Sequence, residues 1–123
     1  MARVTGTCAV LVGAILGSAA LAQDEYPHFD EPALKLGRAV WVETCIACHT
    51  TDIAGAPQVT DAQAWAPRIA QGKDVLYEHA LNGFFGAQGT EMPPRGGNSA
   101  LTDDQVKAAV DYMVALVSTL SGE

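Results

Sequence analysis

Hydrophobic residues recur at helical spacing in four stretches of the chain, and no stretch alternates apolar with polar residues as a half-buried strand does. The stretches are 33–44, 61–71, 73–82 and 103–120. The last is the most regular, since Thr102 and Gln105 form a capping box and Val106, Val110 and Val117 share one face. The pattern predicts an all-α fold.

Gly37 interrupts the apolar face of the first predicted helix, where glycine costs about 1 kcal/mol relative to alanine. A close crossing by another helix explains a glycine at such a position. The segment between the last two helices, from Phe84 to Ala100, is rich in glycine and predicts a long loop. In so small a domain, a structureless loop of that length is usually functional. We expect Phe84, Phe85 and Tyr77 to pack in the core.

The amino-terminal segment has the pattern of a secretory signal peptide. Arg3 precedes a short apolar run, and Ala20-Leu21-Ala22 is a small-residue cleavage site before polar residues. We therefore divide the 123 residues into a signal peptide (1–22), a flexible acidic tail (23–30) and one domain (31–123). An uncleaved membrane anchor is the alternative, because 4–22 approaches the length of a spanning helix.

The composition is acidic. The formal net charge of −7 becomes −8 once Arg3 is removed with the signal peptide. A surface of this sign argues against nucleic acid and anionic lipid as partners, and favours a protein whose docking face is basic or largely apolar.

Cys8 lies in the predicted signal peptide. The other two cysteines lie in the run Cys45-Ile46-Ala47-Cys48-His49, which is a CxxCH motif. This spacing is the attachment signature of c-type haem: two thiols reach one porphyrin, and the histidine is aimed at the iron. A thioredoxin-like redox pair would need alternating strands and helices. A zinc site would need further paired ligands, and only His28 and His79 remain. The motif therefore predicts one haem c, attached through Cys45 and Cys48.

His49 is the expected proximal ligand of the iron, and its second ring nitrogen needs an acceptor such as a carbonyl in the turn at Gly55, Ala56 and Pro57. Met92 is the expected distal ligand, because it lies in the long loop and Pro93 restricts its backbone. The alternatives are His79, Met113 or an open position. Met113 lies on the apolar face of the last helix and is expected in the core.

Two tryptophans and two arginines are candidates for the surroundings of the haem. Trp41 and Trp65 are expected to pack in the haem pocket, each with an indole N–H that needs an acceptor. Arg68 lies one helical turn from Trp65 and is a candidate partner of a haem propionate, the alternative being an exposed charge. Arg95 is a candidate for the exposed haem edge or a solvated side chain.

The CxxCH motif, Gly55-Ala56-Pro57 and the run Met92-Pro93-Pro94-Arg95-Gly96-Gly97 together resemble a class I cytochrome c, and the later segments 101–104 and 109–113 are similar to its c5 subgroup. The resemblance covers about residues 34–118. It implies a small helical fold around one covalently bound haem, with the first and last helices crossing near Gly37 and Tyr112. It also implies Pro57 as acceptor from His49, Met92 as sixth ligand, and Trp65 and Arg68 near the propionates. The low lysine content departs from the lysine-ringed docking face of the mitochondrial kind.

The function expected from these residues is one-electron transfer in the periplasm, on a haem ligated by His49 and Met92. The protein would be a carrier and not an enzyme. Its partners would be a donor dehydrogenase or quinol-oxidising complex and an acceptor oxidase or reductase, without nucleic acid, and with a membrane only if 1–22 is retained. The alternatives are a tightly bound haem-relay subunit of an oxidoreductase, and a haem sensor or peroxidase with a labile distal methionine.

Overall fold

The computed structural model describes residues 25–122, apart from the side chain of Gln88. The predicted signal peptide and its cleavage site after Ala22 lie outside the described residues. Within residues 25–122, no helix combines the length and the apolar character that crossing a membrane requires.

Helices dominate the described chain, as the sequence predicts. In chain order the α-helices are α1 (Pro32–Val40), α2 (Ile46–Thr51), α3 (Ala62–Ile69), α4 (Lys73–Asn82) and α5 (Asp103–Ser121). A π-helical turn (Trp41–Cys45) joins α1 to α2, and short 3-10 turns occupy Ile53–Gly55, Ala87–Gly89 and Pro94–Gly97. Two strands, β1 (Phe84–Phe85) and β2 (Glu91–Met92), pair antiparallel.

Helices α1 and α5 cross in close contact at Gly37. A Cβ placed on Gly37 would lie 2.0 Å from the carbonyl oxygen of Ala108 and 2.9 Å from the Cβ of Tyr112. Only a residue without a side chain lets the two backbones approach this closely. The predicted crossing at Gly37 and Tyr112 is therefore confirmed.

The main hydrophobic core lies beneath this crossing. Trp41, Tyr112 and Leu116 are fully buried in it. Each such side chain contributes roughly 1.5–3 kcal/mol relative to an exposed position. The other buried members of the cluster are Val59, Trp65, Met113 and Val117.

The segment before α1 packs against this core, which differs from the predicted flexible tail. The ring of Tyr26 meets Trp41 edge-on at 4.8 Å, and that of Phe29 meets Tyr112 at 5.8 Å. The Tyr112 hydroxyl also donates to the carbonyl of Pro27 at 2.9 Å. The prediction of a flexible tail relied on the charge of the segment. It did not take into account the apolar area that Tyr26 and Phe29 bury.

The region predicted as a long structureless loop contains a small hairpin. Phe84 pairs with Met92, and Phe85 with Glu91. Two-residue strands are too short for an alternating pattern to be visible in the sequence. Phe84 and Phe85 also differ from expectation, because they are 41% and 78% exposed and do not lie in the core.

Helix α5 begins as predicted. The backbone N–H of Gln105 donates to the Thr102 hydroxyl at 3.2 Å, and the N–H of Thr102 donates to the Gln105 side chain at 2.9 Å. The capping box thus satisfies two N–H groups at the helix end.

Replacing Gly37 by alanine tests the crossing. Helix propensity alone predicts a gain of about 1 kcal/mol, whereas the clash with Ala108 predicts a net loss of about 1–3 kcal/mol. Denaturant unfolding of the holoprotein measures the sign. Ala39→Ser, at an exposed position of the same helix, should change stability by less than about 0.5 kcal/mol. A stabilised Gly37→Ala variant would contradict the close approach.

Candidate functional site

The segment that carries Cys45, Cys48 and His49 departs from a continuous α-helix. At its start the N–H of Ile46 bonds to the carbonyl of Trp41, five residues earlier, instead of four. The extra residue rotates all later side chains by about 100° relative to an uninterrupted α-helix. As a result Gly37 and Trp41 face the helix crossing and the core, while Cys45, Cys48 and His49 line a cavity.

This cavity has a volume of about 370 Å³, within the range of ordinary ligand sites. Its walls come from α2, α3, α4, the hairpin and the loop between α2 and α3. Nine of the ten predicted site residues line it: Cys45, Cys48, His49, Gly55, Pro57, Trp65, Arg68, Met92 and Pro93. The tenth, Trp41, does not.

Trp41 lies in the core and not in the predicted haem pocket. It is fully buried between Tyr26 and Tyr112, whose ring centroids lie 4.8 and 5.5 Å away. Its position follows from the start of the π-helical turn, which leaves Trp41 on the same face as Gly37. Its indole nitrogen has no hydrogen-bond partner among the described residues.

Neither cysteine forms a disulfide within residues 25–122, and both are partly buried. Burial, with a smaller effect of the neighbouring Cys48, raises the pKa of Cys45 to about 11. Redox-active CxxC pairs require the opposite shift, because the thiolate is the reactive form. The environment of Cys45 thus argues against a thioredoxin-like function.

His49 is 7% exposed, and its Nδ1 lies 2.9 Å from the carbonyl oxygen of Pro57. A carbonyl only accepts, so Nδ1 carries the hydrogen and the lone pair of Nε2 remains available. Burial lowers the pKa of His49, the bond to Pro57 opposes this effect, and the charge of Arg68 adds to it. The neutral form is the one that binds a metal.

The loop 52–60 is hydrogen-bonded to α2 on one side and to α3 on the other. The N–H of Val59 donates to the carbonyl of His49 at 2.9 Å, next to the bond between His49 and Pro57. The indole N–H of Trp65 donates to the adjacent carbonyl, that of Gln58, at 2.9 Å. Successive carbonyls of one loop therefore orient both the histidine and the tryptophan beside it, whose ring centroids are 6.0 Å apart.

Gly55 and Pro93 have steric roles in the cavity wall. Gly55 has a φ of +73°, and a Cβ at this position would lie 2.3 Å from the Cγ2 of Thr90. This contact brings the turn Ile53–Gly55 against the hairpin that carries Met92. Pro93 follows Met92 with extended backbone and leads into the turn Pro94–Gly97.

The three alternatives for the sixth ligand lie in different places. Met92 and His79 both line the cavity. The ring of His79 lies 4.2 Å from that of Phe84, the residue paired with Met92 across the hairpin. Met113 is buried in the core at 7% exposure and does not line the cavity, as predicted.

The two arginines have different environments. Arg68 lines the cavity and donates to the carbonyl of Ala64 in its own helix. The guanidinium of Arg95 donates to the carbonyl of Leu101 at 2.9 Å and to the carboxylate of Asp103 at 2.6 Å. These bonds connect the segment that follows Met92 to the start of α5. Arg95 therefore joins two segments of the chain. Neither of the two roles considered from the sequence, a residue at the exposed haem edge or a solvated side chain, included this contact.

Several cavity residues escaped the sequence interpretation. They include Thr44, Ile53, Leu76, Phe84, Thr90 and Gly96. No motif marks them. The π-helical turn, the turn at Ile53, α4, the hairpin region and the turn Pro94–Gly97 bring them to the cavity.

The donor set fits a covalently held haem better than a bare metal ion. Two thiols, two imidazoles (those of His49 and His79) and one thioether line a cavity whose surface is mainly apolar. Across residues 25–122, no group of three or more His, Cys, Asp and Glu side chains is placed to hold a metal ion.

Comparison with known proteins agrees with this assignment. Residues 32–113 match the family described as cytochrome C oxidase, cbb3-type, subunit III. The chain is 45% identical to cytochrome c-555 of Chlorobaculum tepidum over 101 residues, which are 82% of this chain and 90% of that protein. The chain belongs to the class I c-type cytochromes.

Two further relatives extend the comparison. Cytochrome c5 of Azotobacter vinelandii is 37% identical over 82 residues, covering 65% of this chain and 93% of that protein. A solved structure, an electron transfer complex of nitrite reductase with cytochrome c, contains a chain with a TM-score of 0.59 at 41% identity. That match covers 71% of this chain and 96% of the other. The cofactor of this cytochrome is accordingly haem c, and its function is electron transfer.

Covalent attachment predicts that haem staining survives denaturing electrophoresis. Replacing both Cys45 and Cys48 by alanine should abolish the stained band, because each thiol supplies one bond to the porphyrin. Replacing Thr51, an exposed residue of the same helix, by alanine should leave the band unchanged. An unstained wild-type band would refute covalent attachment.

Proposed function

We propose that this cytochrome is a periplasmic carrier of single electrons, with His49 and Met92 as the two axial ligands of its haem. The supporting observation is that one cavity is lined by the CxxCH motif from α2 and by Met92 from the hairpin. When bound, haem c supplies a reversible one-electron couple between ferric and ferrous iron. The remaining features concern what the chain does to hold and enclose that group.

The residues around His49 hold its ring in one orientation. The Pro57 carbonyl fixes the tautomer, and Trp65 packs beside the imidazole. Such partners of a histidine ligand increase its basicity and limit the reorganisation that a change of oxidation state requires.

Met92 is the better candidate for the distal position, although His79 lines the same cavity. A thioether is a weak ligand, so a fixed backbone limits the entropy that is lost on binding. The pairing with Phe84 and the following Pro93 provide that restriction. If His49 and Met92 both hold the iron, no position on it would remain for a substrate, which favours a carrier over an enzyme, sensor or peroxidase.

Protein partners follow from the same function. One structural neighbour is a cytochrome c solved in an electron transfer complex with nitrite reductase. We infer that this cytochrome likewise exchanges electrons with redox proteins, on the donor side a dehydrogenase or quinol-oxidising complex and on the acceptor side an oxidase or reductase.

A tightly bound subunit of an oxidoreductase is the second candidate. The observation that favours it is the family description, which names a subunit of a cbb3-type oxidase. The two candidates differ in where the cytochrome is found after gentle lysis.

Osmotic release of the periplasm separates these candidates. A free carrier should appear in the released fraction, with a mass that corresponds to a chain beginning at Gln23 plus one haem. A chain that retains residues 1–22, or one that sediments with the membranes, would support the anchored or subunit alternative instead.

Met92→Ala tests the ligand assignment. It should abolish the absorption band that a thioether gives on ferric haem and lower the reduction potential, because soft sulfur stabilises the ferrous state. Optical spectroscopy and potentiometry measure both.

Met113→Ala is the matched control for this variant. It should keep the band and lower stability by about 2–5 kcal/mol. Loss of the band in Met113→Ala, or in His79→Ala with Met92 intact, would overturn the assignment. Binding of carbon monoxide by the reduced wild-type protein would favour the sensor or peroxidase class.

A further inference from the structure

The turn that follows Met92 contains a backbone conformation that residues with a side chain rarely adopt. Arg95 has a φ of +57°, in the left-handed region, where a Cβ is crowded by the backbone. Gly96 and Gly97 continue the turn at φ values of +64° and +86°, which glycine accepts freely. A residue such as Arg95 keeps this conformation only where surrounding contacts hold it, and such positions are concentrated at functional sites.

The side chain of Arg95 supplies contacts that hold it. Its Nη1 donates to the carbonyl of Leu101 at 2.9 Å, and its Nη2 donates to the carboxylate of Asp103 at 2.6 Å. Two nitrogens of one planar guanidinium thus bind two acceptors at the start of α5. Arg95 is also the only charged residue between Met92 and Thr102, so no other side chain of this segment can form an ion pair.

Other sides of the same turn meet the protein mainly through packing. A Cβ on Gly83 would lie 3.0 Å from the carbonyl oxygen of Met92, so the end of α4 lies close against the loop. A Cβ on Gly96 would lie 3.0 Å from the Cγ2 of Thr44, and the Asn98 amide reaches the Thr44 hydroxyl only at 3.5 Å. Of the polar contacts described between this turn and a helix, those of its arginine are therefore the shortest.

Met92 is thereby restricted from both directions along the chain. Before it, the pairing with Phe84 fixes the strand that carries it. After it, Pro93 and Pro94 have a restricted backbone, and Arg95 connects the turn they enter to α5. A thioether is a weak ligand, and a loop that was free to move would lose more entropy each time the thioether bound.

We propose that Arg95 is a positioning residue for the distal ligand. Its bonds to Leu101 and Asp103 hold the loop in the conformation that keeps the Met92 thioether on the iron and small external ligands away from it. Arg95 does not line the haem cavity, so it acts through the backbone of the loop. The inference rests on the proposed function, because it takes Met92 as the sixth ligand, and it adds what keeps that ligand bound.

Imidazole binding to the ferric holoprotein tests this inference. Imidazole competes with Met92 for the sixth position, and loss of the methionine absorption band measures its binding. The apparent association constant is proportional to the fraction of molecules in which the thioether has left the iron. Arg95→Asn removes both bonds, while asparagine tolerates the left-handed backbone. It should raise the apparent constant at least about tenfold.

Asp103→Asn tests the same contact without changing Arg95. The Asp103 side chain is 60% exposed, so solvent screens the ion pair, and the bond from Arg95 to Leu101 remains. The apparent constant should therefore rise by only about two- to fivefold. Asp104→Asn is the matched control, because it removes the same charge from the first turn of α5. It should bind imidazole as the wild type does.

Lys73→Gln controls for a general loss of stability. It breaks the ion pair of 2.7 Å between Lys73 and Asp111, which joins α4 to the same helix α5. Because this pair does not involve the loop that carries Met92, the apparent constant for imidazole should stay unchanged.

The inference is overturned if Arg95→Asn binds imidazole no more tightly than the wild type, or if Lys73→Gln gains as much. Should Arg95→Asn fail to fold, equal constants for Asp103→Asn and Asp104→Asn overturn it. The wild-type ferric spectrum separates this failure from failure of the proposed function. Without the methionine band, the ligand assignment itself is wrong; with the band present and imidazole binding unchanged in the variants, only the role of Arg95 is wrong.

Discussion

The contact of α1 with α5 at Gly37 is the constraint on which the rest of the structure depends. Helix α1 continues from this crossing into the CxxCH segment, so the distance between the two backbones influences where the haem attachment site lies. Tyr112 strengthens the same contact, because its ring packs on Trp41 and its hydroxyl holds Pro27. One interface thereby organises the core, the segment before α1 and the entrance to the cavity.

The cavity also depends on the loop between α2 and α3, because backbone groups of this loop hydrogen-bond to both His49 and Trp65. Pro57 and Gln58 offer consecutive carbonyls to His49 and Trp65, while Val59 returns a hydrogen bond to His49. Each of these buried polar groups is thus satisfied without a charged side chain. The lining of the cavity is mainly apolar, and the polarity around an enclosed haem influences its potential.

The sequence could predict the features that local chemistry determines. Helical periodicity, the capping box at Thr102 and the CxxCH motif each depend on a few neighbouring residues, and so does a glycine on an apolar helix face. These give the fold class, and nine of the ten proposed site residues line one cavity. What could not be predicted depends on tertiary contacts: the packing of Tyr26 and Phe29, the two-residue strands, and the bridge made by Arg95. Trp41 was expected in the haem pocket as a packing residue with an indole N–H, and the single π-helical turn that begins at Trp41 is enough to separate its face from that of the motif.

That π-helical turn has a consequence for how this helix can change during evolution. Because of this turn, the continuous helical segment from α1 to α2 has two faces that point in different directions. The face at Gly37 packs against α5, and the face at Cys45 lines the cavity. Deleting one residue between Trp41 and Cys45 would restore regular α-helical winding and turn the thiols and the imidazole away from the cavity, even with every chemical group retained. Substitutions are therefore tolerable in this stretch wherever side chains fit, whereas a change of length is not. The number of residues between the two faces is as much a part of the haem site as the cysteines are.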